Sequence, residues 1–133
     1  MKKMLSICLL SFTLLSCKDE FNIPETNSYV DGDSPEVTIV SPSNRAISTN
    51  DSIVPIHIEV TDNYFLGSFK LIIRNELTGL EEYTYETLTG DSVFVYKGDF
   101  TIPSKDSTVH ELFVSCNDAV GNNNYDLISF TTK

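Results

Sequence analysis

Asp31, Asp33, Asp62, Asn63, Asp91, Asp118 and Asn122 all sit in or beside short polar turns that separate runs of alternating apolar residues. Hard oxygen donors drawn from separate loops are what Ca²⁺ takes, six to eight of them at about 2.3–2.6 Å. If successive strands alternate direction, the start of the domain, the second-to-third turn, the fourth-to-fifth turn and the final turn share one pole. That pole gathers the acidic residues, and Asp33, Asp62, Asn63, Asp118 and Asn122 are the candidate calcium ligands. The competing reading is local. Asp and Asn at turns bond their own backbone, and Gly121 supplies the left-handed conformation a tight turn needs.

A second set of residues offers a surface for stacking. Tyr83, Tyr85 and Tyr96, with Phe94, fall on adjacent expected strands, and Tyr64 stands at a turn beside Phe65. Rows of exposed rings stack on sugars, and they also dock partner proteins. Against this, the chain has no Trp, and cross-strand packing accounts for rings that alternate toward a core. Catalysis has less to stand on. The two histidines, His57 and His110, lie on strands expected in different sheets, so neither a shared metal nor a nucleophile–base pair is expected. There is no glycine-rich phosphate loop, and no enzyme activity is expected.

The amino terminus carries a chemistry of its own. Lys2 and Lys3 precede an apolar run from Met4 to Leu15, and Leu14-Leu15-Ser16-Cys17 closes it. The run is too short for a bilayer-spanning helix, which takes roughly 20 apolar residues. Leu14 also fits poorly the small residue that an ordinary secretory cleavage site wants three positions before the cut. The segment resembles a lipobox, which implies cleavage before Cys17 and lipidation of its thiol. Lipid chains contribute about 0.8 kcal/mol per buried methylene, so two or three of them hold a small domain on a bilayer. Cys17-Lys18-Asp19-Glu20 resembles the surface-export signal of Bacteroidetes lipoproteins, a lysine and two acids after the lipidated cysteine; an ordinary acidic tether is the alternative.

Composition narrows the partners. The 133 residues carry 9 basic against 19 acidic side chains, a net charge of −10 that becomes −12 once Lys2 and Lys3 leave with the signal. Nucleic acid is excluded as a partner, because no basic patch exists to neutralise phosphates. Of three cysteines, Cys8 leaves with the signal and Cys17 takes lipid. Cys116 is then alone, sharing strand parity with Leu112 and Val114, and reads as a small buried hydrophobe.

Three segments follow: residues 1–16 as signal, 17–34 as lipidated cysteine and flexible acidic tether, and 35–133 as one folded domain. The tether lacks hydrophobic periodicity and could reach roughly 55–60 Å fully stretched. From Pro35 onward the pattern alternates at period two. Strands are expected over 36–40, 53–61, 65–74, 81–87, 92–101, 109–117 and 125–132, with Pro55 near a strand start or at a bulge. Seven short strands in about a hundred residues indicate an all-β, seven-stranded sandwich.

Pro35-Glu36-Val37-Thr38-Ile39-Val40-Ser41-Pro42, Asp62 after the second strand, and Asp118-Ala119-Val120-Gly121-Asn122 resemble bacterial immunoglobulin-like domains of the cadherin and fibronectin III kind. With the signal, the chain resembles a family of Bacteroidetes lipoproteins bearing one such domain. His110 departs from that pattern, standing where many of these domains place a corner tyrosine. The resemblance implies an immunoglobulin-like fold anchored by lipid at the outer membrane, facing outward. The function expected is a non-catalytic adhesion or accessory binding module with a protein or glycan partner. The alternatives are a calcium-stabilised spacer with no ligand of its own, or a glycan-binding accessory lipoprotein.

Overall fold

The computed structural model describes residues 31–49, 53–103 and 106–133. The signal, Cys17 and the tether up to residue 30 lie outside them. The described chain is all β: β1 (Glu36–Ser41), β2 (Ile47–Ser48), β3 (Ile53–Thr61), β4 (Leu66–Asn75), β5 (Glu81–Leu88), β6 (Val93–Thr101), β7 (Thr108–Asp118) and β8 (Asn123–Thr132). Two sheets form, of order β1-β3-β6 and β2-β8-β7-β4-β5. There are eight strands where the sequence pattern announces seven. The additional one, β2, is two residues long and too short for any periodicity to reveal it. It runs parallel to β8, with Ile47 opposite Thr131 and Ser48 opposite Thr132, so β1 and β2 pair in different sheets.

Period-two alternation places the core. Val54, Ile56, Ile58 and Val60 of β3 face inward, opposed by Phe69, Leu71 and Ile73 of β4 and by Leu112, Val114 and Cys116 of β7. Fully burying a side chain of this size contributes roughly 1.5–3 kcal/mol, so a one-residue slip in any strand would expose its whole apolar set. Pro55 is tolerated within β3 because β1 has ended by then: Ser41 is opposite His57. The Pro55 carbonyl, on that same unpaired side, accepts the Ser41 hydroxyl at 3.1 Å.

Aromatic rings bridge the two sheets. Phe69 lies 4.8 Å from Phe94 and 6.0 Å from Tyr96, centroid to centroid. Toward the opposite pole, His110 stacks on Phe130 at 5.1 Å and meets Phe100 edge-on at 5.2 Å. Two glycines permit close approaches, Gly98 to the Tyr96 ring and Gly67 to the end of β7. A Cβ on Gly98 would sit 2.5 Å from the Tyr96 hydroxyl, and one on Gly67 would sit 2.7 Å from the backbone carbonyl oxygen of Asp118.

Gly67 is the stricter of the two, since backbone cannot swing aside as a ring can. Gly67→Ala is expected to cost about 1–3 kcal/mol, the usual range for overpacking. A lowered urea midpoint with an unchanged slope would register it.

Candidate functional site

One pole of the sandwich collects the end of β3, the start of β4, the end of β7 and the start of β8, together with the residues that lead into β1. Asp31, Asp62 and Asp118 meet there, each offering a carboxylate oxygen within 4.8 Å of the others. Asp31 is 5% and Asp118 4% exposed, so two of the three carboxylates are out of bulk water.

Local geometry holds each of them. Asp118 Oδ1 accepts the backbone N–H groups of Val120, Gly121 and Asn122 at 2.9, 2.6 and 2.8 Å, and Gly121 turns the loop at φ +102°. Burial works against ionising Asp118. Hydrogen bonds from the Asn122 side chain and from the three loop N–H groups outweigh it and hold the carboxyl below its usual range. Asp62 Oδ2 accepts the Tyr64 N–H at 3.2 Å, and Asp31 Oδ1 accepts the Asp33 N–H at 3.1 Å.

Two amides then tie the chain before β1 onto the loops. Asn63 Nδ2 donates to Asp31 Oδ1 and Asp33 Oδ2, both at 3.1 Å. Asn122 Nδ2 reaches Asp118 Oδ2 at 2.6 Å and the backbone carbonyls of Asp31 and Asp33 at 3.0 Å each. After this, Asp31 Oδ2 and Asp62 Oδ1 are buried with no hydrogen-bond partner. Among the described residues, no ion pair involves the three carboxylates. A buried carboxylate oxygen without a partner is costly unless a cation completes it.

The sequence-derived ligand set is therefore assembled in part and reassigned in part. Asp62 and Asp118 are in the cluster. Asp31 completes it in place of Asp33, whose carboxylate turns to Asn63 and lines a neighbouring groove of about 170 Å³ with Ser34, Glu36, Thr61 and Asp62. Asn63 and Asn122 present N–H groups to the acids and so clamp the incoming chain against the site. Asp91 stays outside the cluster, and its carbonyl accepts the Leu66 N–H at 3.0 Å.

The aromatic candidates separate in a different way. Tyr83, Tyr85 and Tyr96 do not form an exposed row, because their parity turns them between the sheets. Tyr96 is 8% exposed, and its hydroxyl meets that of Tyr83 at 2.6 Å. Burial, then that hydrogen bond, pushes the Tyr96 phenol far above its ordinary range. Tyr64 is exposed at the β3–β4 turn, edge-on to Phe65 at 4.9 Å.

A further constellation was not legible in the sequence. Glu82 Oε2 lies 2.7 Å from His110 Nδ1, and His110 Nε2 lies 2.9 Å from Thr132 Oγ1. Ile73 is opposite Tyr83 and Arg74 opposite Glu81, so Glu82 is the extra residue of a bulge, and the bulge turns it inward. The order carboxylate–imidazole–hydroxyl is that of a hydrolytic triad. Here His110 and Thr132 are sealed from solvent, so no substrate reaches the hydroxyl, and the network satisfies buried polar groups beside Phe100 and Phe130. His57, on the other sheet, faces outward 3.1 Å from Glu59.

Among the described residues, no helix is long and apolar enough to cross a membrane. Compared with known proteins, the chain matches no protein-family model and no curated protein sequence.

Cys116 lies two residues before Asp118 on β7, on the same inward face, and is buried. Burial, then the Asp62 and Asp118 carboxylates, pushes its thiol up to about 11. Only thiolate alkylates, so iodoacetamide at neutral pH is expected to label Cys116 no faster than the domain unfolds. Peptide mass spectrometry across a urea series checks this, with labelling rising only through the unfolding transition.

Proposed function

We propose that this chain is a non-catalytic, lipid-anchored surface module whose pole binds a divalent cation, calcium by its all-oxygen chemistry, and so locks the tether to the sandwich. The observation that carries this reading is the pair of buried, unpartnered oxygens on Asp31 and Asp62, set beside Asp118 where the tether meets the domain. A hard cation among them offsets their mutual repulsion and completes both oxygens at once. Asp31 and Asp33 end the tether, while Asp62 opens the β3–β4 loop and Asp118 ends β7. Cation binding then stiffens the joint between anchor and domain, which is what a spacer on a cell envelope requires.

The immunoglobulin-like assignment is supported by the strand order: β1 and β2 pair in different sheets, β4–β5 and β7–β8 are consecutive antiparallel pairs, and β3 pairs with β6 across the intervening β4 and β5. The lipobox-like Leu14-Leu15-Ser16-Cys17 and the following Lys18-Asp19-Glu20 support a Bacteroidetes surface lipoprotein at the outer membrane. A spacer with no ligand of its own is what the pole favours, and adhesion or accessory binding to a protein partner is the second reading. Glycan binding is the weaker version, because three of its four candidate rings are spent between the sheets.

Calcium is expected to raise the melting temperature of the full chain by several degrees, since about 1 kcal/mol shifts a domain of this size by roughly 4–8 °C. Asp62→Asn and Asp31→Asn should abolish the shift, and magnesium, which prefers tighter octahedral water-rich sites, should give less of it. No calcium-dependent change in the starting chain would sink the cation reading. Separately, mass spectrometry of the mature protein should find an amino-terminal acylated Cys17. Cys17→Ser should release the protein from membranes.

A further inference from the structure

The outer face of the five-stranded sheet carries an apolar centre, half-buried at Ile72 and Phe113 and exposed at Tyr125 and Leu127. Ile72, Phe113 and Leu127 stand in one row across β4, β7 and β8, with Phe113 opposite both Ile72 and Leu127. Tyr125 extends the patch, its ring stacked 6.0 Å from that of Phe113. Tyr125 is 66% and Leu127 48% exposed. The charges around this centre are distributed unevenly. Both cations, Lys70 and Arg74, are on β4; the acids Glu111 on β7 and Glu81 and Glu86 on β5 flank them; and β8 contributes no charged side chain from its outward-facing row.

We propose that this face docks onto the same face of a second copy of the chain, about a two-fold axis parallel to the strands and midway between β4 and β7. Such an axis keeps each row at its own height and exchanges β4 with the partner's β7, and β5 with the partner's β8. Arg74 and Glu111 share a row, so Arg74 of each copy meets Glu111 of the other, twice over. Ile72 meets Phe113, and Thr84, opposite Ile72 on β5, meets Leu127. Lys70 falls against Ser115, and Glu86 against Tyr125, whose hydroxyl can donate to it. No like charges face one another, and in an isologous contact that self-complementarity is what one patch must have. Sheets packed face to face rotate by about 30°, a few ångströms of offset one pleat from the axis, within reach of an arginine.

The size of the face sets the strength. Four strands about 4.8 Å apart and three outward rows about 6.8 Å apart give roughly 400 Å² per copy. That is below the ~800 Å² per partner of stable complexes, so the contact is a weak one that forms where copies are concentrated. An axis along the strands also leaves the Asp31 pole of both copies at the same end. If the lipid-anchor reading holds, both tethers then reach one membrane, and confinement there supplies the concentration. The contact itself does not depend on the cation site.

Charge reversal in trans tests this. The full chain in mild detergent, followed by sedimentation velocity up to about 1 mM, is expected to show a reversible monomer–dimer equilibrium. Arg74→Glu and Glu111→Arg, each shown to melt near the wild-type temperature, should each weaken self-association by at least about tenfold. An equimolar mixture of the two variants should recover it, because the carboxylate introduced at position 74 of one copy then faces the guanidinium introduced at position 111 of the other. Arg74 and Glu111 also pair within one chain, at 2.8 Å, but loss of that internal pair cannot be repaired by mixing. A wild-type chain that stays monomeric throughout, single variants that associate normally, or a mixture that does not recover would each overturn the proposal.

Discussion

The long strands β3, β4 and β7 turn one parity of their side chains toward the opposing sheet, and that single demand governs the rest. Val54, Ile56, Ile58 and Val60 can be buried only if β3 keeps its register against β6, and Phe69, Leu71 and Ile73 only if β4 keeps its register against β7. Once register is set, the strand ends are set with it. The turns after β3 and β7 and the lead into β1 then converge at one pole, whatever their own residues prefer.

The acidic cluster is a consequence of that convergence. Asp118 alone would be an ordinary turn aspartate, its Oδ1 saturated by three loop N–H groups. Asp62 alone would cap the Tyr64 N–H. Brought together with Asp31 in a buried site, they hold more negative charge than the loops around them neutralise, and two oxygens are left without donors. The Asn63 and Asn122 amides spend their hydrogens holding the incoming chain in place. The same pole thus fastens the residues that lead into β1 and leaves two carboxylate oxygens without a donor.

The same constraint acts on the interior. Glu82 reaches His110 because one extra residue in β5 reverses its parity, and His110 in turn satisfies Thr132. The arrangement has the atoms of a triad, but its imidazole and hydroxyl are sealed from solvent. Order and distance define catalytic geometry only when the nucleophile can be reached.

Periodicity was strong in the long strands. The alternation in β3, β4 and β7 was legible residue by residue, as was the inward parity of His110 and Cys116. The two-residue β2 was not, because its place comes from the β8 backbone it pairs with and not from its own side chains. The tyrosines were legible as cross-strand partners, but period two alone does not say which face is inside; the opposing Phe69 decided that for Tyr85 and Tyr96. The pole was foreseeable from alternating strand direction. Which oxygens meet there was not, since the exchange of Asp33 for Asp31 depends on where two asparagine amides point. The chain by itself thus determined a strand-rich, acidic domain with its turn carboxylates gathered at one end, because alternation and turn chemistry are local. Only the tertiary structure decided which carboxylates are buried, which rings are hidden and which outer face carries an apolar centre, because those depend on contacts between residues far apart in sequence.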